Sequence, residues 1–313
     1  MGSEVMTKIP IIDFGKLEMK PGSQEWNSLR DEVYQALEEY GCFEAILDGT
    51  STPKESLYVK IKQVFNFCLK TKFGNSEKSA YGYSWNPMMP LYERLSIHHV
   101  LNPGVIENFS KILWPDGQPE FCDLVHSYAK ILSELDEMVR KMIFEKLGLK
   151  SYWDDHKNST SSALGFFKYR MPKEEDTQVG LPAHTDKLMT SILSQHQIGV
   201  SGLQVMKKNG QWLDVEYSSP HSFIFLVSDC LTALTNGRLP CPYHRVNMGD
   251  KERYSIGFST ISKEGCIIKV PEELVDEDHP LLYKPFEAVK YLEFCLLANS
   301  KGVAPTLESF CGV

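Results

Sequence analysis

The feature that most constrains the fold of this 313-residue chain is a change in the spacing of its apolar residues near Ala163. From about Trp26 to Leu149 the apolar residues recur at three- and four-residue steps, the period of an amphipathic helix. After Ala163 they occur in short β-branched or aromatic runs that are separated by turn residues, which is typical of strands. Many short strands with regular turns predict a β-sandwich or a jelly roll, preceded by a helical region.

Helices are predicted in the first half of the chain over residues 28–40, 54–69 and 120–147. Gly41 and Gly148 follow the first and the last of these, and glycine commonly ends a helix because it tolerates a left-handed backbone. After about Pro271 the helical spacing returns, and residues 286–297 are the last predicted element.

Strands are predicted in the second half over residues 164–169, 191–193, 202–206, 211–215, 222–227 and 256–259. Asn209-Gly210 lies between two of these runs and indicates a hairpin turn. An apolar segment at residues 9–14 is a candidate for one more strand of the same sheet.

Composition and charge exclude several classes of protein. Lys and Arg total 33 against 41 for Asp and Glu, and this net charge of −8 leaves no basic surplus for a nucleic-acid backbone. No stretch is apolar for the roughly 18 residues that suggest a membrane helix, and the amino terminus has no apolar signal-peptide core. The eight cysteines are scattered without a Cys-x-x-Cys pair, which favours buried thiols over disulfides. We therefore expect a soluble, cytoplasmic protein that is monomeric.

A candidate metal site is formed by His184, Asp186 and His244. On a strand, His184 and Asp186 would face the same way, and a histidine from a distant strand could complete the set. Two imidazoles and one carboxylate on one face are the ligand set of non-haem Fe(II) oxygenases, with the opposite positions open. The alternative for His-x-Asp alone is a hydrogen-bonded loop histidine.

A second pair, Arg253 and Ser255, would also share one face of a strand. A buried arginine beside a hydroxyl can hold a carboxylate through charge-assisted hydrogen bonds. The alternative for Arg253 is an ordinary surface arginine at a strand end. The other histidines have no partner at metal-ligand spacing, and we interpret them as packing or surface residues; they are His98, His99, His126, His156, His196, His221 and His279.

Taken together, the motifs resemble those of plant 2-oxoglutarate/Fe(II)-dependent dioxygenases. The motifs of the second half are His184-x-Asp186, Gly202-Leu-Gln, Gly210-Gln-Trp212, Ser228-Asp229, Thr235-Asn-Gly237, His244-Arg-Val246 and Arg253-x-Ser255. Four motifs of the first half resemble those of the AOP-type subgroup. They are ALEEYGCFEA at 36–45, LWPDG at 113–117, DEMVR at 136–140 and DDH at 154–156. The resemblance extends from residue 9 to the carboxyl end.

This resemblance implies a mainly β fold with α-helices, whose core is a double-stranded β-helix (jelly roll). It implies a helical amino-terminal region over 1–155, the Fe(II)/2-oxoglutarate core over 156–270 and a helical segment over 271–313 that covers the core. It also implies that His184, Asp186 and His244 bind Fe(II), and that Arg253 and Ser255 hold the distal carboxylate of 2-oxoglutarate.

One stretch departs from the family pattern. The family usually has Asn-Tyr-Tyr-Pro before the His-x-Asp strand, and its second tyrosine helps to hold 2-oxoglutarate. Here the stretch reads Lys168-Tyr169-Arg170-Met171-Pro172. Either Tyr169 does this work in a shifted register or Arg170 replaces the phenol.

The substrate site is predicted from an aromatic and Met-rich segment over residues 81–92, where family members begin to line the substrate mouth. Such side chains suit a bulky, apolar ligand, although a loop folded onto the core is the alternative. The candidate substrate-binding residues are Tyr83, Trp85, Met88, Met89 and, near the carboxyl end, Phe310.

The resemblance thus predicts a dioxygenase that uses Fe(II), 2-oxoglutarate and O₂, with ascorbate as a candidate reductant. It would oxidise, and by expectation hydroxylate, a small metabolite of plant specialised metabolism, such as a steroidal alkaloid or a glucosinolate side chain. Two alternatives stay open at this point. One is a non-catalytic ligand-binding protein on the same fold, and the other is an iron oxidase that uses ascorbate instead of 2-oxoglutarate.

Overall fold

The computed structural model describes residues 8–15, 19–47, 53–73, 82–197, 199–200 and 202–313. Residues 1–7, at the amino terminus considered above, and Tyr81 of the aromatic segment lie outside this part. In the described ranges, no helix combines the length and the apolar character needed to cross a bilayer.

The helices agree with the spacing of the apolar residues in the sequence. Ser23 caps the first helix by accepting a hydrogen bond from the Trp26 amide, and Gly41 ends it with a left-handed backbone (φ 68°). The helices are α1 (Gln24–Tyr40), α2 (Lys54–Asn66), α3 (Leu69–Phe73), α4 (Val105–Leu113), α5 (Pro119–Lys146), α6 (Trp153–Asn158), α7 (Asp229–Leu234), α8 (Ala288–Ser300) and α9 (Leu307–Cys311). The predicted helices over 28–40, 54–69 and 120–147 correspond to α1, α2 with α3, and α5.

The strands form two main sheets and one short antiparallel pair, and every strand predicted from the sequence is present. The strands are β1 (Ile11–Asp13), β2 (Cys42–Ile46), β3 (Gly82–Trp85), β4 (Tyr92–His98), β5 (Thr160–Tyr169), β6 (Val179–His184), β7 (Thr190–Gln195), β8 (Leu203–Met206), β9 (Trp212–Asp214), β10 (Ser222–Val227), β11 (His244–Asn247), β12 (Arg253–Ser262), β13 (Ile267–Ile268) and β14 (Phe286–Glu287).

The larger sheet has the order β1-β2-β10-β7-β12-β5-β4-β3, and the smaller has the order β6-β11-β8-β9. The two sheets enclose a cavity, so the predicted jelly-roll core with helices outside it is confirmed. β8 and β9 pair as a hairpin around Asn209-Gly210, and Gly210 has the positive φ (82°) that such a turn requires. β1 pairs in parallel with β2, so the segment over 9–14 joins the sheet as predicted.

The larger sheet combines strands from two of the predicted regions. β1 to β4 come from the first 155 residues, which the sequence predicts as mainly helical, and β5, β7, β10 and β12 come from the core region. The division at residue 155 stays a prediction. β4 and β5, which lie on either side of it, pair in one sheet.

A buried ionic network fixes the long helix α5 to this sheet. The carboxylate of Asp136, 1% exposed, accepts hydrogen bonds from Arg140 Nε at 2.7 Å, from Thr260 Oγ1 at 2.6 Å and from the Thr190 hydroxyl. Arg140 Nη1 also lies 2.9 Å from His156 Nε2. The network joins α5 to β7 and β12, the strands that carry Gln195 and Arg253.

Replacing Asp136 by Asn should destabilise the fold by about 3 kcal/mol, because it leaves the buried Arg140 cation without its anion. Glu137→Gln is the matched control on the same helix. Glu137 pairs with Lys157 at the surface, so its loss should cost less than about 1 kcal/mol. Urea unfolding of both variants measures the difference, and equal losses would show that the Asp136 network does not anchor α5.

Candidate active site

The candidate metal ligands meet where two strands of the smaller sheet pair. His184 ends β6 and His244 begins β11, and the two residues lie directly opposite each other in the antiparallel register. Asp186 is not on a strand, contrary to the sequence argument from alternating side chains, because β6 ends two residues earlier. Its loop is held instead by a hydrogen bond from the Asp229 amide to the Asp186 carbonyl, at 2.8 Å.

The three side chains converge despite this difference. Asp186 Oδ1 lies 3.7 Å from His184 Nε2 and 3.8 Å from His244 Nε2, and one ligand atom from each side chain lies within 4.8 Å of the others. Within the described ranges, this is the one cluster of three or more His, Cys, Asp or Glu side chains with such spacing. Donor atoms this close can contact a single ion.

Backbone carbonyls set the orientation of both imidazoles. His184 Nδ1 lies 2.8 Å from the Pro182 oxygen and His244 Nδ1 lies 3.3 Å from the Pro242 oxygen. A carbonyl oxygen only accepts, so each Nδ1 carries the proton and each Nε2 presents a free lone pair. Metal-binding histidines are commonly oriented by such a hydrogen bond from the other ring nitrogen, so the residues fit a divalent ion.

The protonation states suit metal ligation as well. Burial in the cavity, with the His244 ring beside it, lowers the pKa of His184 below its ordinary value. Burial alone would raise the pKa of Asp186, but the two imidazoles and the Ser191 hydroxyl outweigh it, and the pKa of Asp186 is lowered. At neutral pH the His184 imidazole is therefore uncharged and the Asp186 carboxylate ionised, the forms that ligate a metal.

The cluster opens into a cavity of about 470 Å³ between the two sheets. Arg253, Ser255 and Tyr169 line the same cavity, so the structure brings these predicted residues together with the three metal-ligand candidates. The prediction that Arg253 and Ser255 share a strand face is confirmed, since Arg253 Nη1 donates to Ser255 Oγ at 3.2 Å.

Arg253 is buried without an acidic partner. It is 1% exposed, its Nε donates to Gln195 Oε1 at 2.8 Å, and its guanidinium lies 5.1 Å from the centre of the Tyr169 ring. No carboxylate of the described residues lies within 4.0 Å of it. Gly202 leaves room for the side chain, because an added Cβ there would lie 3.1 Å from Arg253 Cδ. An uncompensated buried cation is costly, so this pocket fits an anionic ligand.

Arg170 lies outside this pocket. Its guanidinium forms an ion pair with Asp176, at 2.6 Å, and its Nε donates to the Pro90 carbonyl. β5 ends at Tyr169, which lines the cavity, and Arg170 follows the end of the strand and does not line it. The expectation that Arg170 could replace the phenol is therefore not supported by its position, whereas Tyr169 contacts Arg253 directly.

Of the predicted substrate residues, Met89 is the one that lines the cavity. Tyr83 is buried and donates its hydroxyl to Glu93, while Trp85 and Met88 are 43% and 86% exposed. Phe310 packs against Phe286, Tyr291 and Phe294 instead of closing the cavity.

The structure adds cavity residues that the sequence argument missed. Leu292 and Leu296, one turn apart on α8, form part of its wall, which the helical spacing of residues 286–297 could have indicated. His98, interpreted above as a packing residue, also lines the cavity, together with Arg94 and Ser96 on β4.

Gln195 is a further residue that the motifs did not indicate. Its side-chain amide donates to the carbonyls of Gln197 and Val200, both at 2.6 Å, and this fixes its oxygen toward Arg253. Gln195 thus positions the buried guanidinium. Gln195 lies two residues beyond the predicted strand 191–193, and no local sequence pattern indicated its contact with Arg253.

Comparisons with known proteins identify the family. The family model described as the 2OG-Fe(II) oxygenase superfamily matches residues 161–261. AOP1.2 of Arabidopsis thaliana, a probable 2-oxoglutarate-dependent dioxygenase, is 42% identical over 315 residues, which cover 98% of this chain and 96% of that protein.

Two solved structures share the fold. The dioxygenase for auxin oxidation from rice matches with a TM-score of 0.81 and 24% identity, over 98% of this chain and all of the other. The corresponding Arabidopsis thaliana enzyme, solved with 2-oxoglutarate, matches with a TM-score of 0.75 and 26% identity, over 87% of this chain and 99% of the other.

This chain therefore belongs to the 2OG-Fe(II) oxygenase superfamily. It is an oxidoreductase of the 2-oxoglutarate-dependent dioxygenase class, and Fe(II) and 2-oxoglutarate are its cofactor and cosubstrate, as the sequence predicts.

Gln195→Leu should lower the free energy of unfolding by about 2 kcal/mol, because it leaves Arg253 Nε buried without an acceptor. Gln204→Leu is the matched control, since Gln204 also accepts from an arginine, Arg245, but in a partly exposed pair. Its loss should cost less than about 1 kcal/mol. Chemical unfolding compares them, and a Gln195→Leu protein as stable as the wild type would contradict the positioning role.

Proposed function

We propose that His184, Asp186 and His244 bind Fe(II), and that Arg253, Ser255 and Tyr169 bind the distal carboxylate of 2-oxoglutarate. The observation that carries this assignment is the buried guanidinium of Arg253, which has no acidic partner in the described residues and shares one cavity with the three donors. A cosubstrate with a carboxylate at each end can reach both sites.

The protein residues hold the metal on one side. Asp186 and the Nε2 atoms of both histidines occupy one face, and the cavity occupies the other. The open side leaves positions for a bidentate ligand and for O₂. When bound, Fe(II) supplies the oxidising chemistry, in which 2-oxoglutarate and O₂ yield succinate and CO₂ and the substrate gains the second oxygen atom.

Arg253 and its neighbours set the orientation of 2-oxoglutarate. The guanidinium, held by Gln195 and Ser255, provides charge-assisted hydrogen bonds to one carboxylate. Burial raises the pKa of Tyr169 to about 12, so its phenol stays protonated. A protonated phenol adds a donor and no competing negative charge.

The substrate that we propose is a small molecule of plant specialised metabolism, and hydroxylation is its expected fate. The cavity volume suits such a ligand, and its wall includes Phe167, Leu181, Leu292 and Leu296. Glucosinolate side chains and steroidal alkaloids are the candidates from sequence, and the two structural neighbours are dioxygenases for auxin oxidation. Action as a monomer and a cytoplasmic location stay predictions.

Asp186→Ala should weaken Fe(II) binding by more than about 100-fold, because losing a ligand costs more than losing a group that only orients a ligand. Asp176→Ala is the control, since Asp176 pairs with Arg170 outside the cavity. Anaerobic equilibrium dialysis of Fe(II) measures both. Unchanged metal affinity in the Asp186 variant would remove this residue from the site.

Arg253→Gln should weaken 2-oxoglutarate binding by about 2–5 kcal/mol, or roughly 30-fold and more, because the buried carboxylate loses its cation. Arg170→Gln, which removes the neighbouring cation outside the pocket, should leave the cosubstrate affinity unchanged. Titration of 2-oxoglutarate into the anaerobic Fe(II) enzyme tests the pair. A loss in Arg170→Gln equal to that in Arg253→Gln would contradict the assignment.

A further inference from the structure

A polar stripe on β4 forms one side of the cavity. Arg94, Ser96 and His98 alternate with Leu95 and Ile97 along this strand. The first three residues line the cavity, and the two apolar residues are buried in the core on the other face. Ser84 of β3 also lines the cavity and lies opposite Arg94 in the register, next to the stripe.

This stripe is separate from the site assigned to 2-oxoglutarate. β5 lies between β4 and β12, and neighbouring strands are about 4.8 Å apart, so the backbones of Arg94 and Ser255 are about 10 Å apart. Phe167 pairs with both residues from the middle strand. Its ring covers Gly165 and Gly257, where an added Cβ would lie 2.7 Å and 2.8 Å from it. The ring thus lies over β5 and β12, and Phe167 itself stands between Arg94 and Ser255 in the sheet.

The charges of the cavity leave Arg94 uncompensated. Lys187 is paired with Asp229 at 2.8 Å, and Asp186 lies between the two histidines. Arg253 is satisfied by 2-oxoglutarate under the proposed function. Arg94 lines the solvent-exposed mouth and has no acidic side chain within 4.0 Å among the described residues. Its neighbour Glu93 points to the other face and pairs with Lys72.

We propose that Arg94 binds an anionic group of the substrate, and that the substrate is an amphipathic organic anion. This inference rests on the proposed function and narrows its substrate class. The anionic group, a carboxylate or a sulfate, would lie at Arg94 with hydroxyls of Ser96 and Ser84 nearby. The apolar body would lie against Phe167 and the leucines of α8, facing the metal. A cationic alkaloid is disfavoured at this position by the like charge.

The test uses the anaerobic enzyme loaded with Fe(II) and 2-oxoglutarate. The probes are arylalkanoic acids, the sulfate esters of the corresponding arylalkanols and the neutral primary amides of the same acids, with affinities measured by calorimetry. The wild type should bind at least one anion series about 10-fold or more tightly than the amides, since a hydrogen bond to a charged group contributes roughly this much. The difference in affinity between the carboxylate series and the sulfate series identifies the anionic group that the site prefers.

Arg94→Gln should abolish the preference for the anion, whereas Arg245→Gln should retain it. Arg245 packs on Trp212 at 4.1 Å outside the cavity, so this control removes the same charge elsewhere. The inference is wrong if the wild type shows no preference for the anions, which includes the case that it binds no probe. It is also wrong if the Arg94→Gln protein keeps the preference for the anion. Titration of 2-oxoglutarate into the wild type separates the two proposals, because failure of the cosubstrate to bind would instead overturn the proposed function.

Discussion

The cation of Arg253 is the constraint around which the cavity is organised. It lies inside the roll, and its contacts among the described residues are neutral: the amide oxygen of Gln195, the hydroxyl of Ser255 and the ring of Tyr169. Neutral acceptors orient a guanidinium but do not cancel its charge in a poorly solvated site. The cavity is therefore incomplete without an anion, which is the electrostatic reason that a keto-diacid fits beside the His-Asp-His cluster.

Hydrogen bonds to helix α5 hold the two strands that carry this pocket. Asp136 on α5 accepts hydrogen bonds from threonines on β7 and β12, and these two strands also carry Gln195 and Arg253. Asp136 and Arg140, with His156, come from the first-half motifs that the sequence shares with the AOP-type subgroup. Their place in the network gives these motifs a physical role, namely the attachment of the helical layer to the sheet that carries Arg253.

Local patterns in the sequence predicted most of the secondary structure. Three- and four-residue spacing and the stop at Gly41 are properties of one segment, so α1 and α5 could be placed without tertiary information. The contact between Arg253 and Ser255 follows from alternation within a single strand, and it too was predictable.

Contacts that depend on the packing of distant segments were not predictable in this way. Asp186 converges with its partners from a loop that Asp229 holds, not from strand alternation. Phe310 turns into an aromatic cluster, and the α8 leucines take the wall position expected for it. The choice between Tyr169 and Arg170 needed the register of β5, which shows which of the two faces the cavity.

A crystal structure of the enzyme, from crystals grown anaerobically with Mn(II) and 2-oxoglutarate and with the metal located by its anomalous scattering, shows whether the three ligands and Arg253 form one site. We expect one metal peak ligated by His184 Nε2, Asp186 and His244 Nε2, and 2-oxoglutarate chelating this metal with its far carboxylate on Arg253. A metal bound elsewhere, or a 2-oxoglutarate whose far carboxylate does not contact Arg253, would show that they do not.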